Sequence, residues 1–286
     1  MPRPACERAE DLTSQITTRI IASDTISYYD GGETREQNSP LVLIHGMFGD
    51  YLDWEPVLDP LSTTHRVVAP DLPGFGDSSK PQREYTAEFF VETLHELFRQ
   101  LELERPILIG NSFGGQIAVL YALAHPDDIS KLVLVNSGGF REYTAEERSQ
   151  IEPRFSEPIL AGLTPQINAL LFSGVFTKQS EASVRYLAKQ DAKLQRPDYP
   201  AYAHALASSI RLSLASYLIG RLPEIHTPTL LVWGESDQVL PVEQARLALT
   251  RLPSADLKTI PNCGHVPQLE CPRGFLAATR QFFSLQ

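Results

Sequence analysis

The sequence predicts an α/β fold in which a mostly parallel sheet of eight strands is flanked by helices and interrupted by a helical insertion. Short apolar runs, typical of strands buried on both faces of a parallel sheet, alternate along the chain with segments whose apolar residues recur at helical spacing. This alternation of strand and helix indicates a parallel sheet with helices on its faces. The rhythm stops after residue 137 and resumes near residue 225, so the residues between them form an insertion.

The predicted strands begin with two short segments, Thr18–Ala22 and Thr25–Gly32, that alternate in part between apolar and polar residues. Such alternation is typical of a hairpin at the edge of a sheet. Six further strands are predicted in chain order: Pro40–Ile44, Arg66–Pro70, Ile107–Ile109, Lys131–Val135, Pro228–Trp233 and Asp256–Ile260.

Helices are predicted where apolar residues share one face. The segment that begins at Thr86, a typical N-cap, places Phe90, Leu94 and Leu97 on one face and continues to Leu101. The other predicted helices are Trp54–Leu58, Gln116–Ala124, Val242–Leu252 and Pro272–Phe283 in the core, and Pro165–Phe172, Glu181–Leu194 and Ala201–Leu218 in the insertion. We therefore expect a core formed by residues 1–137 and 225–286, and a helical insertion formed by residues 138–224.

Composition limits the function classes. The chain has 286 residues and a formal net charge of −10, which argues against a nucleic-acid partner because such a protein needs a basic face. No apolar run approaches the ~18 residues of a membrane span, and the first eleven residues lack the apolar core of a signal peptide. We expect a cytoplasmic protein with no membrane partner.

A disulfide framework is not expected, because the chain has only three cysteines, an odd number: Cys6, Cys263 and Cys271. A reducing compartment is the default expectation, while a single bond between Cys263 and Cys271 stays open. Cys263, His265 and Cys271 would need a further ligand to form a zinc site. We expect no metal and no cofactor.

The strongest motif is Gly110-x-Ser112-x-Gly114, preceded by an apolar strand and followed by an amphipathic helix. This context is typical of a nucleophile elbow, a strained turn that holds a serine hydroxyl above the sheet. Glycines are needed on either side because neighbouring backbone comes close. Ser112 is therefore the candidate nucleophile.

A serine hydroxyl needs a base, and a histidine base needs a carboxylate to fix its tautomer. Asp237 follows the predicted strand that ends at Trp233, and His265 follows the last strand, so both lie at the same sheet edge as Ser112. The order serine, acid, histidine is the one used on this class of sheet. Glu235 competes with Asp237 for the acid role.

An acyl-transfer intermediate also needs two N–H donors for its oxyanion. They are expected from the residue after the nucleophile and from the loop after the third strand. This assigns Phe113 and Met47, with Gly46 giving the chain room to turn.

At these residues the sequence resembles the α/β-hydrolase superfamily. The matching motifs are His45-Gly46, Asp71-x-Pro73-Gly74-x-Gly76-x-Ser78, Gly110-Asn111-Ser112-Phe113-Gly114-Gly115, Trp233-Gly234-x-x-Asp237-x-x-x-Pro241 and Gly264-His265-x-Pro267-x-x-Glu270-x-Pro272. The resemblance implies the α/β-hydrolase fold and identifies the insertion with the family's cap domain, which roofs the active site and selects substrates.

Subfamily features narrow the expected activity. Haloalkane dehalogenases and epoxide hydrolases carry aspartate where this chain has Ser112, and proline iminopeptidases carry a glycine-proline-rich turn where it has Met47-Phe48-Gly49. The elbow resembles that of the C–C bond hydrolases of meta-cleavage pathways, but Val266 stands where those enzymes usually have tryptophan. Carboxylesterases fit best, so the resemblance implies a small-molecule ester as substrate. A C–C bond hydrolase, a lactonase and a hormone-like ligand receptor on the same fold stay open.

Overall fold

A computed structural model of the protein describes residues 16–33 and 38–284. Cys6 and the N-terminal residues that were expected to lack a signal peptide lie outside this range. The described strands form one sheet of eight, in the spatial order β1-β2-β4-β3-β5-β6-β7-β8. Their bounds are β1 Ile16–Ile21, β2 Asp24–Gly31, β3 Leu41–Ile44, β4 Val67–Pro70, β5 Ile107–Asn111, β6 Lys131–Val135, β7 Thr229–Gly234 and β8 Ala255–Ile260.

The sheet is mostly parallel, as predicted. β1 and β2 form an antiparallel hairpin, and β2 also pairs antiparallel with β4. All the other pairings, from β4 through β3 to β8, are parallel. The carboxyl ends of β3, β5, β7 and β8 therefore meet at one edge, which is where ligands bind in open α/β sheets.

The helices flank this sheet. Those of the core are α1 Glu55–Ser62, α2 Ala87–Gln100, α3 Phe113–Ala124, α9 Glu243–Leu249, α10 Pro267–Glu270 and α11 Pro272–Ser284. Thr86 caps α2 as predicted, because its side chain accepts a hydrogen bond from the N–H of Phe89. α3 begins three residues before the predicted start at Gln116, since the turn at Ser112 leads straight into the helix.

Five α-helices lie between β6 and β7, within the predicted insertion. They are α4 Ala145–Ile151, α5 Glu157–Ala161, α6 Pro165–Leu171, α7 Glu181–Lys193 and α8 Tyr199–Ala215. α4 and α5 were not predicted, and neither was α10 in the core. α4 has no buried residue, so its sequence lacks an apolar face, although Thr144 and Glu147 form a capping box at its start. α5 and α10 have five and four residues, too few to show a helical period. The division into residues 1–137, 138–224 and 225–286 stays a prediction.

The two faces of the sheet bury two hydrophobic clusters. Along β3, Val42 and Ile44 belong to one cluster, whereas Leu41 and Leu43 belong to the other. This is the period of two that a strand imposes on its side chains. Because both faces are covered, β3 to β7 read as continuous apolar runs, which is why the sequence located them. The edge strands β1 and β8 carry exposed residues instead.

Cys263 and Cys271 form a disulfide, with their Cα atoms 6.2 Å apart. The sequence left this pairing open, and the cytoplasmic location stays a prediction. The bond joins the two ends of the segment that carries His265. In the described part of the chain, no helix combines the length and apolar character needed to cross a membrane.

Candidate active site

Ser112 lies at the sharp turn between β5 and α3. Its backbone has φ 53° and ψ −116°, a region that non-glycine residues rarely adopt. A Cβ on Gly110 would lie 2.2 Å from the carbonyl oxygen of Gly114, and one on Gly114 would lie 2.4 Å from the carbonyl oxygens of Ile44 and His45. The turn therefore requires these two glycines, as the sequence motif indicated.

The structure brings the three predicted side chains together. His265 Nε2 lies 2.9 Å from Ser112 Oγ, and His265 Nδ1 lies 2.8 Å from Asp237 Oδ2. Because an ionised carboxylate only accepts hydrogen bonds, Nδ1 carries the proton and Nε2 of the neutral ring is free to accept one from Ser112. Asp237 and His265 are both buried, at 6% and 7% exposure, which excludes water from this contact.

Four hydrogen bonds hold the Asp237 carboxylate. The N–H groups of Val239 and Leu240 donate to Oδ1 at 2.8 and 3.0 Å. The side-chain amide of Asn136 donates to Oδ2 at 2.5 Å, beside the bond from His265. Asn136 was not among the predicted site residues, although it directly follows β6 at the same sheet edge, a position that points to the site.

Glu235, the competing acid, faces another direction. Its Oε1 accepts a hydrogen bond from Thr259 Oγ1 at 2.7 Å, and the residue is exposed. The geometry thus places Asp237, and not Glu235, against His265.

The predicted oxyanion donors both border the cavity that contains Ser112. Phe113 is the first residue of α3, so its N–H has no acceptor within the helix. A Cβ on Gly46 would lie 3.2 Å from the Cβ of Ser112, so the Gly46–Met47 peptide lies directly beside the nucleophile. This arrangement can present two N–H groups to a carbonyl oxygen bound at Ser112.

The insertion also holds the backbone around His265. The N–H of His265 donates to the carbonyl of Val175 at 2.9 Å. Glu270 bridges the two segments, because its carboxylate accepts from the N–H of Gly264 at 2.7 Å and from that of Thr177 at 2.8 Å. Val175 and Thr177 carry no motif and were not predicted to contact the site.

The cavity at Ser112 has a volume of about 390 Å³. Such a volume falls in the range of small-molecule sites. The insertion contributes a largely apolar wall, which consists of Tyr143, Ile151, Phe155, Leu171, Phe172, Val175, Tyr186, Ile210 and Leu214. Two charged side chains also border the cavity, and both are paired: Asp53 with Lys189 and Arg141 with Glu147.

Two groups of side chains among the described residues have metal-ligand chemistry. His95, His125 and Asp128 place their ligating atoms within 4.8 Å of one another. The two imidazole rings are stacked with an angle of 8° between their planes, so one ion cannot lie in both ring planes as coordination requires. In the second group, which consists of Cys263, Glu270 and Cys271, the two sulfurs are bonded to each other.

Residues 39–272 match the family model described as the alpha/beta hydrolase fold. The chain belongs to the α/β-hydrolase family. This assignment agrees with the order of strands in the sheet, with the strained turn at Ser112 and with the resemblance seen in the sequence motifs.

Relatives within the family carry two kinds of names. The chain is 31% identical over 282 residues to Lipase 3 of Moraxella sp. (strain TA144), covering 92% of this chain and 82% of the relative. It is 29% identical over 263 residues to the 2-hydroxy-6-oxo-6-(2'-aminophenyl)hexa-2,4-dienoic acid hydrolase of Metapseudomonas resinovorans, covering 89% and 88%. A solved structure of a membrane phospholipase A, described as a bacterial virulence factor, has 31% identity and a TM-score of 0.77, covering 98% and 91%. The protein is thus a hydrolase of this family.

Proposed function

We propose that the protein is a serine hydrolase that cleaves carboxylic esters with small to medium apolar groups through an acyl-enzyme. The observation that carries this proposal is the pair of contacts at His265, 2.9 Å to Ser112 Oγ and 2.8 Å to Asp237 Oδ2, at the wall of an apolar cavity. A neutral imidazole in this tautomer accepts the serine proton as the hydroxyl attacks.

The chemistry follows from these contacts. Ser112 Oγ attacks the ester carbonyl while its proton moves to His265 Nε2, and Asp237 stabilises the imidazolium. The N–H groups of Met47 and Phe113 bind the oxyanion, and His265 then delivers its proton to the leaving alcohol. A water molecule then attacks the acyl-enzyme while His265 takes its proton, and His265 returns this proton to Ser112 Oγ as the acid leaves.

The cavity supports a neutral, apolar substrate. Its bordering cation, Arg141, pairs with Glu147 at 2.9 Å and stacks on the ring of Tyr143 at 4.5 Å. The apolar wall that the insertion supplies would contact the acyl or alcohol group, so we propose that the insertion acts as a cap that selects substrates. The names of the lipase relatives agree with ester cleavage.

A C–C bond hydrolase is the second candidate. The relative named as a dienoic acid hydrolase and the Gly110-Asn111-Ser112 elbow favour it. Such an acid substrate needs a cation for its carboxylate, and Arg141, which donates one hydrogen bond to Glu147 and is half exposed, is the cation at this cavity. The apolar wall of the insertion and the lipase relatives favour the ester.

A substrate panel separates the candidates. Purified wild type and Ser112→Ala are assayed with p-nitrophenyl esters of increasing acyl length, a vinylogous diketone and a lactone. We expect ester turnover at ~1–10³ per second, lost in Ser112→Ala. A higher kcat/KM for the diketone than for every ester would favour the C–C bond hydrolase, and tight ligand binding without turnover would favour a receptor.

A further inference from the structure

The turn that carries Met47 is fixed at the carbonyl of Gly46. This oxygen accepts hydrogen bonds from the N–H of Gly49 at 3.0 Å and from His45 Nδ1 at 2.8 Å. The ring of His45 can donate there because its Nε2 accepts the N–H of Leu72 at 3.0 Å, which leaves the proton on Nδ1. Burial lowers the pKa of His45 and favours this neutral form.

These bonds set the direction of the Met47 N–H. In a trans peptide the C=O and the N–H point in opposite directions, and the described residues contain no cis peptide. The N–H of Met47 is therefore directed away from the atoms that hold the Gly46 oxygen. Any group that holds Gly49 N–H in place also holds the oxyanion donor.

The peptide between Phe48 and Gly49 supplies that N–H, and its other end is held by the insertion. The carbonyl of Phe48 accepts a hydrogen bond from Lys193 Nζ at 2.6 Å. Phe48 has φ +64°, which is uncommon for a residue with a large side chain, so its conformation depends on such outside contacts. Lys193 is the last residue of α7 and is 9% exposed.

A buried charge cluster fixes the position of Lys193. Its ammonium lies 3.0 Å from Asp50 Oδ2, and Lys189, one turn earlier in α7, lies 2.9 Å from Asp50 Oδ1 and 2.5 Å from Asp53 Oδ1. Burial opposes the ionisation of Asp50, but the charges of Lys193 and Lys189 outweigh it and hold the pKa of Asp50 well below its usual range. Lys189 shares the charge partner of Lys193, but Lys193 alone of the two contacts the Phe48 carbonyl.

We propose that Lys193 is a positioning residue for oxyanion stabilisation. Its bond to the Phe48 carbonyl orients the Phe48–Gly49 peptide, which in turn holds Gly46 and the N–H of Met47. The inference rests on the proposed ester hydrolysis and extends it, since it assigns part of the oxyanion geometry to the insertion. The pairing with Asp50 holds the lysine but does not itself reach the reacting atoms.

The test compares Lys193→Met with the matched control Lys189→Met. Both variants remove one ammonium from the same cluster, but only the first removes the donor to Phe48. For each we would measure kcat and KM with a p-nitrophenyl ester, the inhibition constant of a trifluoromethyl ketone, and the thermal midpoint. The ketone forms a tetrahedral adduct with serine and therefore reports oxyanion binding separately from turnover.

Removing one oxyanion donor lowers kcat by roughly 10²–10³, and a misoriented donor retains part of its effect. We expect Lys193→Met to lower kcat about 10- to 100-fold, to raise the inhibition constant of the ketone by a similar factor and to change KM by less than about threefold. Lys189→Met should keep kcat within about threefold of wild type, and Lys193→Arg, which retains a donor, should recover part of kcat.

Equal losses of kcat in the two methionine variants, or a change in KM alone, would overturn the inference. If wild type itself cleaves no ester, the proposed function fails and the inference fails with it. If wild type is active but Lys193→Met and Lys189→Met lose the same fraction of kcat, only the inference fails. Should Lys193→Met not fold, the comparison is made in the Asp50→Asn background, because the uncharged asparagine does not need an ammonium as its partner. The double variant Asp50→Asn with Lys193→Met should then show the same fall in kcat relative to Asp50→Asn alone.

Discussion

Replacing Asp237 by asparagine changes one atom of the carboxylate, and the structure predicts which one. Two backbone N–H groups, from Val239 and Leu240, donate to Oδ1, so the amide oxygen must stay on that side. The amide NH₂ then occupies the place of Oδ2 and faces His265 Nδ1. The ring must accept a hydrogen bond at Nδ1 and carry its proton on Nε2, where it can no longer accept the proton of Ser112.

The loss can be estimated from this geometry. A histidine held in the wrong tautomer lowers kcat by ~10⁴, which corresponds to about 5 kcal/mol of barrier. The new NH₂ also faces the side-chain NH₂ of Asn136, which donates to Oδ2 at 2.5 Å in the wild type. Two donors then face each other, so this hydrogen bond is lost. One lost buried hydrogen bond should reduce the free energy of unfolding by about 1–3 kcal/mol, so Asp237→Asn should remain folded.

The assay measures kcat for a p-nitrophenyl ester together with urea unfolding followed by circular dichroism. Glu235→Gln is the matched control, because its carboxylate contacts Thr259 at the surface and should be replaceable with little change in kcat. A large loss of kcat in Glu235→Gln with near-normal kcat in Asp237→Asn would assign the acid role to Glu235 instead.

Two further predictions concern the cavity wall and a buried acid. Phe155→Ala should change the ranking of esters by acyl length, by ~1–3 kcal/mol in relative kcat/KM, while a small serine reagent reacts at the wild-type rate; an unchanged ranking would argue against the cap role. Burial and the negative charge of Asp50 raise the pKa of Asp71 to about 7. Because this folded-state pKa exceeds the unfolded one, near 4, the native state binds more protons between them and the contribution of Asp71 to stability falls as pH rises through this window. Urea unfolding should therefore show a larger destabilisation by Asp71→Asn at pH 5 than at pH 8, and the reverse order would contradict the raised pKa.

The sequence was sufficient to predict the elements whose buried residues recur at a regular spacing, and the site residues that follow predicted strands. Strands β3 to β7 are buried on both faces, so their apolar runs are visible in the sequence. Ser112, Asp237 and His265 follow strands whose carboxyl ends meet. α4 was missed because none of its residues is buried. Local pattern alone does not reveal an element without an apolar face.

Contacts between segments far apart in the chain could not be predicted from the sequence either. Asn136 and Asp237 are 101 residues apart, and Lys193 and Phe48 are 145 residues apart. Each pair depends on how the insertion or a neighbouring strand is placed in three dimensions. The pairing of Cys263 with Cys271 likewise depends on the distance between their Cα atoms, which the spacing along the chain does not determine.

Labelling with a fluorophosphonate tests the central claim, that Ser112 is the nucleophile. Wild type is treated with the reagent, the intact mass is recorded, and the modified peptide is identified after digestion, with ester turnover measured on the same sample. We expect one adduct per chain, on the peptide that contains Ser112, with a proportional loss of turnover. Ser112→Ala should show neither labelling nor turnover. An adduct on another serine, with turnover retained in Ser112→Ala, would contradict the claim.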